Sequence, residues 1–243
     1  MKLSFVIPAF NEQAFIAQTI KSILQAAEGQ NCEFEIIVVN NVSADNTRQI
    51  AESFPQVKVF DQPKKGTNQA RQLGFEKSSG QLICSLDADM RISPAWVKKA
   101  LDDFQNHPDL VALSGPYVFY DVSVWLRAVT YVFYLLCYPV FVINNRWLKK
   151  GGSVMGGNLV IRKNALERIG GYNTALTFYA DDSDTGSRLS KVGKVKFDYS
   201  FVAGSSGRRL QREGILKSGF RYAINYFWFT FFGKTFHQKP PEA

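Results

Sequence analysis

The chain has 243 residues, of which 46% are apolar and 21% charged, and its net charge is +8 at pH 7. This length can bury a substantial core and is most simply one large domain, and the composition excludes an intrinsically disordered chain. The three cysteines, Cys32, Cys84 and Cys137, have no metal-binding spacing. Their usage is typical of thiols in a reducing compartment.

The charge is unevenly distributed along the chain. Residues 1–187 carry 18 basic and 18 acidic side chains, whereas residues 188–243 carry 11 and 3. A basic end of this kind is typical of proteins that meet nucleic acid, an anionic membrane surface or an anionic substrate. The amino terminus, MKLSFVIPAF, has neither a long apolar run nor a small-residue cleavage site, so we predict a cytoplasmic protein without a signal peptide.

Strand and helix patterns alternate through the first half of the chain. Apolar runs predict strands over residues 2–7, 34–39, 57–60 and 82–86. Helical spacing predicts one helix with Asn11 as its N-cap, a second after Ser43 and a third over residues 67–77. Four repeats of this kind predict an α/β fold with a mostly parallel sheet flanked by helices.

The second half has longer apolar runs. Residues 110–120 predict a further strand, and residues 163–169 a short helix ended by Gly170 and Gly171. Residues 128–143 contain no charge, but Pro139 interrupts them. A membrane-spanning helix needs roughly 20 apolar residues, so we predict a buried or interfacial helix here.

Two carboxylates follow the fourth predicted strand. The stretch QLICSLDADM places Asp87 and Asp89 directly after an apolar run, with Ala88 between them. Open α/β sheets bind ligands at the carboxyl ends of their strands, and two carboxylates there suit Mg²⁺ or Mn²⁺ bridging to a diphosphate. The alternative is that Asp87 caps a turn and Asp89 is solvated. No G-x-G-x-x-G or P-loop motif occurs, so neither a dinucleotide site nor a P-loop is predicted.

Five segments, taken together, resemble the family-2 glycosyltransferases, which have the GT-A fold. FVIPAFNE, VVNNVSADNT and KGTNQARQLGFEKSSG leading into LDADM resemble the donor half of that family. GGNLVIRKNALERIGGY and FYADDSDTGSRLSKVGKV resemble its acceptor half. The resemblance implies a catalytic domain over residues 1–204, with a nucleotide-binding half at about 1–115 and an acceptor half at 116–204.

The resemblance also implies roles for individual residues toward the donor. Asp89 matches the ligand of a divalent metal, Mn²⁺ or Mg²⁺, and Asp87 matches a residue that contacts the donor ribose or sugar beside that metal. The remaining donor-binding candidates are Pro8, Ala9, Phe10, Glu12, Arg71, Ala88, Gly157 and Asn158. The last two end the glycine-rich stretch 149–158, which resembles the family loop that borders the donor sugar; a plain connector is the alternative.

The second strand departs from the family pattern. The family usually has Asp where this chain has Asn40, and Gly where it has Val42. Asn40 can still pair with a base edge, because its amide both donates and accepts hydrogen bonds. The departure therefore leaves open which base the donor nucleotide carries, and it bears less on the predicted fold.

An acidic motif follows at Asp181, Asp182 and Asp184, with Arg188 after it. In the family, the second acid of this motif removes the proton from the acceptor hydroxyl, which makes Asp182 the catalytic candidate and Asp181 a substrate-binding candidate. Neighbouring acids repel one another and raise at least one pKa, as a general base requires. The alternative is a helix amino terminus that carries acids for its dipole.

The basic excess lies in a predicted carboxyl-terminal helical tail, residues 205–243. Arg208 and Arg209 together suit a phosphate clamp. The aromatic and basic residues beyond them suit a helix on an anionic membrane surface, and the alternatives are packing on the domain and self-association. No motif for binding DNA or RNA accompanies these residues, so we do not expect a nucleic acid partner.

The sequence thus predicts an inverting glycosyltransferase that moves a sugar from a nucleoside diphosphate sugar to an acceptor hydroxyl. A lipid-linked acceptor and a place at the inner face of the membrane are hypotheses that follow from the tail. The main alternative is a protein that keeps the fold and binds nucleotide sugars without activity. A nucleotidyltransferase would have a glycine-rich first loop, and a D-x-D phosphatase would carry that motif after its first strand.

Overall fold

The computed structural model describes residues 1–143, 154–176 and 181–214, together with Ile224 and Trp228. Its strands are β1 (Lys2–Ala9), β2 (Glu33–Asn40), β3 (Val57–Asp61), β4 (Leu82–Leu86), β5 (Leu110–Ser114), β6 (Tyr117–Phe119), β7 (Asn158–Arg162), β8 (Lys194–Phe197) and β9 (Ala203–Ser205). Its helices are α1 (Ile16–Ala27), α2 (Thr47–Glu52), α3 (Thr67–Lys77), α4 (Pro94–Asn106), α5 (Val124–Ile143), α6 (Lys163–Arg168), α7 (Asp181–Ser190) and α8 (Arg208–Glu213).

The main sheet has the strand order β3-β2-β1-β4-β7-β5-β8. Parallel pairs join β1 to β2 and β4, β2 to β3, and β5 to β8. Strand β7 runs antiparallel to both of its neighbours, β4 and β5. A second, two-stranded sheet pairs β6 with β9. The predicted mostly parallel sheet flanked by helices is confirmed.

The alternating side chains of β1 explain why helices cover both faces of the sheet. Phe5 and Ile7 are fully buried in a cluster with residues of α1 and α4, including Ile20 and Trp96. Val6 points to the opposite face and joins a separate cluster with Phe75 of α3. Successive strand residues point to opposite sides, so a continuous apolar run requires cover on both faces.

Two predicted boundaries differ from the structure at prolines. β1 continues through Pro8, which is opposite Val39. Pairing with β4 has already ended at Val6, so no strand on that side needs the N–H that proline lacks. The predicted strand over residues 110–120 is instead β5 and β6, separated by Gly115 and Pro116. The carbonyl groups of both residues turn toward the side-chain amide of Asn158, which breaks the strand.

The prediction that Asn11 caps the first helix is wrong. Helix α1 begins at Ile16, and Asn11 has a positive φ of 54°. Its side-chain oxygen accepts a hydrogen bond from the backbone N–H of Ala44, at 2.8 Å. Asn is the residue type that most readily adopts this backbone region after Gly, so Asn11 shapes a loop and not a helix end.

Two sequence-predicted regions fall largely outside the described residues. The glycine-rich stretch is described only from Val154, and the aromatic tail after Gly214 only at Ile224 and Trp228. Among the described residues, no helix is both long and apolar enough to cross a membrane. Residues 128–143, predicted to form a buried or interfacial helix, belong to helix α5 and expose apolar side chains at Tyr131, Val132 and Leu135. These three side chains exclude the buried alternative for residues 131–135.

Candidate active site

The loops that follow β1 and β2 are joined by hydrogen bonds into one wall of the site. The N–H of Asn11 donates to Ser43 Oγ at 3.1 Å, and the N–H of Glu12 donates to Thr47 Oγ1 at 2.7 Å. The N–H of Gln13 donates to Asp45 Oδ2 at 3.1 Å. Because β1 and β2 are parallel neighbours, their carboxyl ends meet at one edge of the sheet, as the sequence predicted.

Asn40 lies at the end of β2, buried beside β3. Its Nδ2 donates to Asp61 Oδ1 at 2.8 Å, and its Oδ1 accepts from the N–H of Ser43 at 3.4 Å. Arg48 Nη1 donates to the other oxygen of Asp61, at 2.5 Å. Val42 has a positive φ of 63°, which explains why the family usually has Gly at this position.

A single arginine joins three carboxylates from two parts of the chain. Arg71, on α3, is buried, and its Nη2 donates to Asp87 Oδ1 at 3.1 Å. Its Nη1 donates to Asp181 Oδ2 at 3.0 Å and to Asp182 Oδ1 at 3.3 Å. Burial opposes the arginine's charge, but the three carboxylates outweigh that effect and raise the pKa of Arg71. The acids after β4 and those of α7 therefore lie in one site.

The pKa of Asp182 is raised above the usual range of an aspartate. Burial and the neighbouring carboxylate of Asp181 raise its pKa to about 7, against the opposing effects of Arg71 and of a hydrogen bond from the N–H of Gly156. A group with a pKa near the working pH accepts a proton readily and can release it again. Asp184, in the same turn of α7, is instead paired with Arg188, with 2.7 Å between Oδ2 and Nε.

Asp89 lies near Asp87 and Arg208, and Arg208 also pairs with Glu12. Burial, followed by the negative charge of Asp87 and a smaller effect of Glu12, raises the pKa of Asp89 to about 7, although Arg208 opposes the shift. Arg208 Nη1 donates to Glu12 Oε2 at 2.8 Å, and its Nη2 is 3.7 Å from Asp89 Oδ2. The hydroxyl of Tyr120 donates to the backbone carbonyl of Asp89 at 3.1 Å, which fixes the loop.

The donor set at this edge fits a divalent cation such as Mg²⁺ or Mn²⁺. Asp87 and Asp89 supply carboxylate oxygens, and burial and the charge of Asp87 raise the pKa of Asp89 even though Arg208 Nη2 is 3.7 Å from Oδ2. Within the described residues, no three His, Cys, Asp or Glu side chains form a metal-binding group. Mg²⁺ usually binds one or two carboxylates and takes its other ligands from phosphate oxygens and water, so two carboxylates suffice for it.

Two glycines before β7 allow its backbone to approach the acidic side chains. A Cβ atom on Gly157 would be 2.2 Å from Asp87 Oδ2, and one on Gly156 would be 2.1 Å from Asp182 Oδ1. The N–H of Gly157 donates to the hydroxyl of Tyr117 at 3.1 Å. No larger residue fits at either position without moving a carboxylate, so the predicted Gly157 does border the site.

Asn158 lies in the interior and does not line the site. It is fully buried, and its Oδ1 accepts from Trp96 Nε1 at 2.8 Å. Its Nδ2 donates to the carbonyl oxygens of Gly115, at 3.0 Å, and Phe201, at 2.8 Å. Its amide therefore holds the β5–β6 corner against α4. Both polar atoms of the side chain are used there, so neither is available to a sugar-nucleotide substrate.

The remaining residues predicted from the sequence differ in their contacts and in how near they lie to the acids of the site. Phe10 carries the ammonium group of Lys65 above its ring, 4.0 Å from the centroid. Pro8 and Ala9 end β1, and Ala88 is buried with its carbonyl accepting from Thr19 Oγ1 at 2.6 Å. Arg208 reaches the acidic residues, whereas Arg209 is near Glu213, with 3.9 Å between Nε and Oε1. The two arginines therefore do not form one clamp.

Sequence reasoning missed three contributors to the site. Tyr120 fixes the loop of Asp89, Asp61 binds Asn40, and Gly156 donates its N–H to Asp182. Only Gly156 carried a signal, because it lies in the glycine-rich stretch. Tyr120 directly follows β6 and Asp61 ends β3, and no local pattern connects either residue with its partner.

The fold matches that of known glycosyltransferases. The mannosyltransferase PcManGT from Pyrobaculum calidifontis, in complex with GDP-Man and Mn²⁺, has a TM-score of 0.69 at 18% identity, covering 96% of this chain and 65% of that one. S. aureus TarS 1–349, in complex with UDP-GlcNAc, has a TM-score of 0.60 at 18% identity, covering 85% of this chain and 56% of that one. The fold is thus that of the GT-A glycosyltransferases.

Sequence comparison then identifies the family. Residues 4–170 match the family described as Glycosyl transferase family 2, and the chain belongs to that family. A probable glycosyltransferase of Bacillus subtilis, YdaM, is 28% identical over 201 residues, covering 79% of this chain and 47% of the relative. A dolichol-phosphate mannosyltransferase of Pyrococcus furiosus is 32% identical over 123 residues, covering 49% and 34%. The chain spans less than half the length of these curated relatives.

Proposed function

We propose that this glycosyltransferase transfers a sugar, with inversion, from a nucleoside diphosphate sugar to an acceptor hydroxyl. The observation that carries the proposal is the contact of one buried arginine, Arg71, with Asp87, Asp181 and Asp182. It joins the acid after β4, at the end of the sheet where α/β folds bind ligands, to the acids of α7. A donor and an acceptor that meet here would react beside a carboxylate able to accept a proton.

In this proposal Asp182 is the general base. Its carboxylate takes the proton of the acceptor hydroxyl while the hydroxyl oxygen forms a bond to the anomeric carbon. The bond from that carbon to the diphosphate oxygen breaks on the opposite side, and the diphosphate leaves with the electron pair. The pKa of Asp182, raised to about 7 by burial and by Asp181, suits this role.

We assign Asp89, together with Asp87, to hold a divalent cation, Mn²⁺ or Mg²⁺. A cation bound there would neutralise charge on the departing diphosphate. Arg208 is 3.7 Å from Asp89 and supplies a second positive charge at this side of the site, where its guanidinium suits phosphate oxygens. Asn40 and Phe10 line the base side in this proposal.

A lipid-linked acceptor extends the proposal toward the synthesis of cell-envelope glycans or glycolipids. Two relatives support it by name: the dolichol-phosphate mannosyltransferase and a dolichyl-phosphate β-glucosyltransferase of Trichomonas vaginalis, 40% identical over 96 residues. The basic residues concentrated in residues 188–243 suit the anionic surface of a membrane's cytoplasmic face. We therefore propose peripheral contact with that face.

The competing proposal is an inactive protein that binds nucleotide sugars. Asn40 and Val42 depart from the family pattern, as does Asp181, which stands where the family usually has Glu, and these departures favour it. Both proposals require donor binding, and only the first requires turnover.

A panel of nucleotides separates them. The melting temperature would be measured with UDP, GDP, CDP and dTDP, each with and without Mn²⁺, and transfer would be assayed with the matching sugar nucleotide. A ligand that binds the native state stabilises it in proportion to the logarithm of its concentration over its Kd. We expect one nucleotide to give a metal-dependent shift, and Asp89→Ala to abolish that dependence.

The catalytic variant in this panel is Asp182→Asn. It should keep the nucleotide shift and lose about 10²–10⁴ in transfer rate, the usual contribution of a positioned base. Asp102→Asn, the same change on the exposed surface of α4, is the control and should match the wild type. Normal turnover by Asp182→Asn would contradict the assigned base, and binding without turnover by the wild type would favour the inactive protein.

A further inference from the structure

Helix α5 presents a continuous apolar stripe to solvent. Its exposed members are Val124, Trp125, Tyr131, Val132 and Leu135, at 79%, 72%, 55%, 51% and 47% exposure. Their spacing of one, seven, eight and eleven residues from Val124 places all five on one face of the helix. We call this set the α5 stripe. An exposed apolar patch of several large side chains marks an interaction surface, whereas single exposed apolar residues do not.

The first turn of α5 is tied to the residues that precede the helix. Arg127 Nη2 donates to the carbonyl oxygens of Tyr120 and Val122, at 3.5 Å each. The loop before the helix is held by α8, because Asp121 Oδ1 accepts from the N–H of Gly207 at 2.6 Å and its carbonyl accepts from Gln211 Nε2 at 2.7 Å. The stripe therefore has a fixed direction relative to the site.

The part of the chain that contains and follows the stripe is basic in sequence. From Val122 to Lys150 it has no Asp or Glu and four basic residues, Arg127, Arg146, Lys149 and Lys150, although Asp121 precedes this stretch. Residues 204–243, whose Gly207 and Gln211 bond Asp121 in the loop before this helix, carry seven basic and two acidic residues. Aromatic and aliphatic side chains on one helix face, within a basic stretch of chain, are the features of a helix that lies in the interface of an anionic bilayer.

We propose that the α5 stripe is a membrane-contact surface that binds the headgroup region of an anionic lipid bilayer. Trp125 and Tyr131 would lie at headgroup level, where their amphipathic rings are favoured, with Leu135 beside them. The inference deepens the proposed function by naming the surface that would meet a lipid-linked acceptor. It rests on the proposed function only for the role of membrane contact, because vesicle binding itself does not require sugar transfer. A second copy of the chain, or the chain's own residues 215–243, would be the other occupants of this face.

Only a few residues along the chain separate the α5 stripe from the residue that holds the loop of Asp89. Tyr120, whose hydroxyl binds the carbonyl of Asp89, is four residues before Val124. Arg208 begins α8, the same helix that holds Asp121. A bilayer against the stripe would therefore lie close to Asp87 and Asp89, the acids proposed to hold the cation beside the diphosphate. A hydroxyl or phosphate group carried on a lipid would reach the site without leaving the membrane surface.

The test measures vesicle binding by the full chain. Sedimentation with vesicles of phosphatidylcholine, and of phosphatidylcholine mixed with phosphatidylglycerol, would be compared for the wild type and for Trp125→Glu/Leu135→Glu. We expect the wild type to bind the anionic vesicles and the variant to bind at least about tenfold more weakly, because binding scales with buried apolar area. The control is Lys98→Glu, on exposed α4, which reverses a charge and should retain binding.

Three results would overturn the inference. The first is equal vesicle binding by the wild type and the stripe variant, or no binding by either. The second is a wild-type dimer in sedimentation velocity that the variant abolishes, which would assign the stripe to a second copy. The third is a large fall in the variant's melting temperature, which would mean that the chain itself covers the stripe.

The failure of this inference differs from failure of the proposed function. The metal-dependent nucleotide shift is measured without lipid. A chain that binds nucleotide but ignores vesicles refutes only the membrane surface. A chain that binds vesicles through the stripe but neither binds nucleotide nor transfers sugar refutes only the proposed activity.

Discussion

Arg71 shows how far single residues could be predicted from the sequence. Its segment predicts a basic residue near the donor, and Asp87, Asp89 and Asp182 were chosen from local motifs. The ion pairs between Arg71 and the acids of α7, 110 and 111 residues along the chain, had no local signal. Such contacts depend on tertiary packing, which neither propensity nor spacing encodes.

The first prediction at this scale concerns the pH dependence of transfer. A general base must be unprotonated, so kcat/KM should fall as the pH drops below about 7, the pKa of Asp182. After burial, the charge of Asp181 is the main influence that raises this pKa. Asp181→Asn should therefore lower the pKa of Asp182 and move the acid limb of the kcat/KM profile to lower pH.

A control lies in the same turn of α7. Asp184→Asn removes a carboxylate that is paired with Arg188, and it should leave the position of the acid limb unchanged. An acid limb that does not move in Asp181→Asn would show that Asp182 does not titrate in this range.

Asn40, which departs from the family pattern, provides a second prediction because its side chain is hydrogen-bonded to Asp61. Its Nδ2 donates to Asp61, so Asp at position 40 would bring two carboxylates together and lose the hydrogen bond. We expect Asn40→Asp to lower the free energy of unfolding by about 1–3 kcal/mol, as for a buried polar group left unpaired. Chemical denaturation would measure the loss.

Asn40→Asp/Asp61→Asn exchanges the two side chains and should recover most of that stability. If the double variant is no more stable than Asn40→Asp, the two side chains are not coupled. Nucleotide binding by the exchanged pair would also show whether the base is read by Asn40 itself.

At the scale of elements, the four repeats of strand and helix were predictable, whereas the position of β7 was not. Chain order favours parallel neighbours, yet β7 lies antiparallel between β4 and β5, with Asn158 opposite Leu86. That register brings Gly156 and Gly157 against the acids. It depends on pairing across 72 residues, which the periodicity of either strand alone does not specify.

The prediction at this scale is that the turn before β7 tolerates no side chain at Gly157. Gly157→Ala would place Cβ 2.2 Å from Asp87 Oδ2, so that carboxylate must move. We expect metal-dependent nucleotide binding to weaken at least about tenfold by titration, because a metal site needs its ligands in place. Gly204→Ala, where the nearest atom is 3.4 Å away in ordinary contact, is the control. Wild-type binding by Gly157→Ala would show that Asp87 is not held in place by this approach.

At the scale of the whole molecule, the candidate site and a buried stabilising network lie at opposite ends of the strands. The strands present acids and loops at their carboxyl ends and a buried acid, Glu35, near their amino ends. Glu35 accepts from Ser4 Oγ at 2.7 Å and from the N–H and hydroxyl of Ser79, both at 2.7 Å. Lys58 Nζ is 2.9 Å from its other oxygen. This network joins β1, β2 and β3 to the turn before β4.

This separation predicts that Glu35→Gln lowers stability without changing donor binding. Burial alone would raise the pKa of Glu35, but its hydrogen bonds lower it from 4.5 to about 2. Its contribution to the free energy of unfolding is therefore complete above pH 4.5 and is lost as the pH falls toward about 2. Denaturation at neutral pH should show a loss of about 1–3 kcal/mol for Glu35→Gln, and the difference from the wild type should shrink in acid. Glu33→Gln, exposed on the same strand, should cost little at any pH. A difference that persists unchanged at low pH would mean that Glu35 stabilises the sheet by packing and not by its charge.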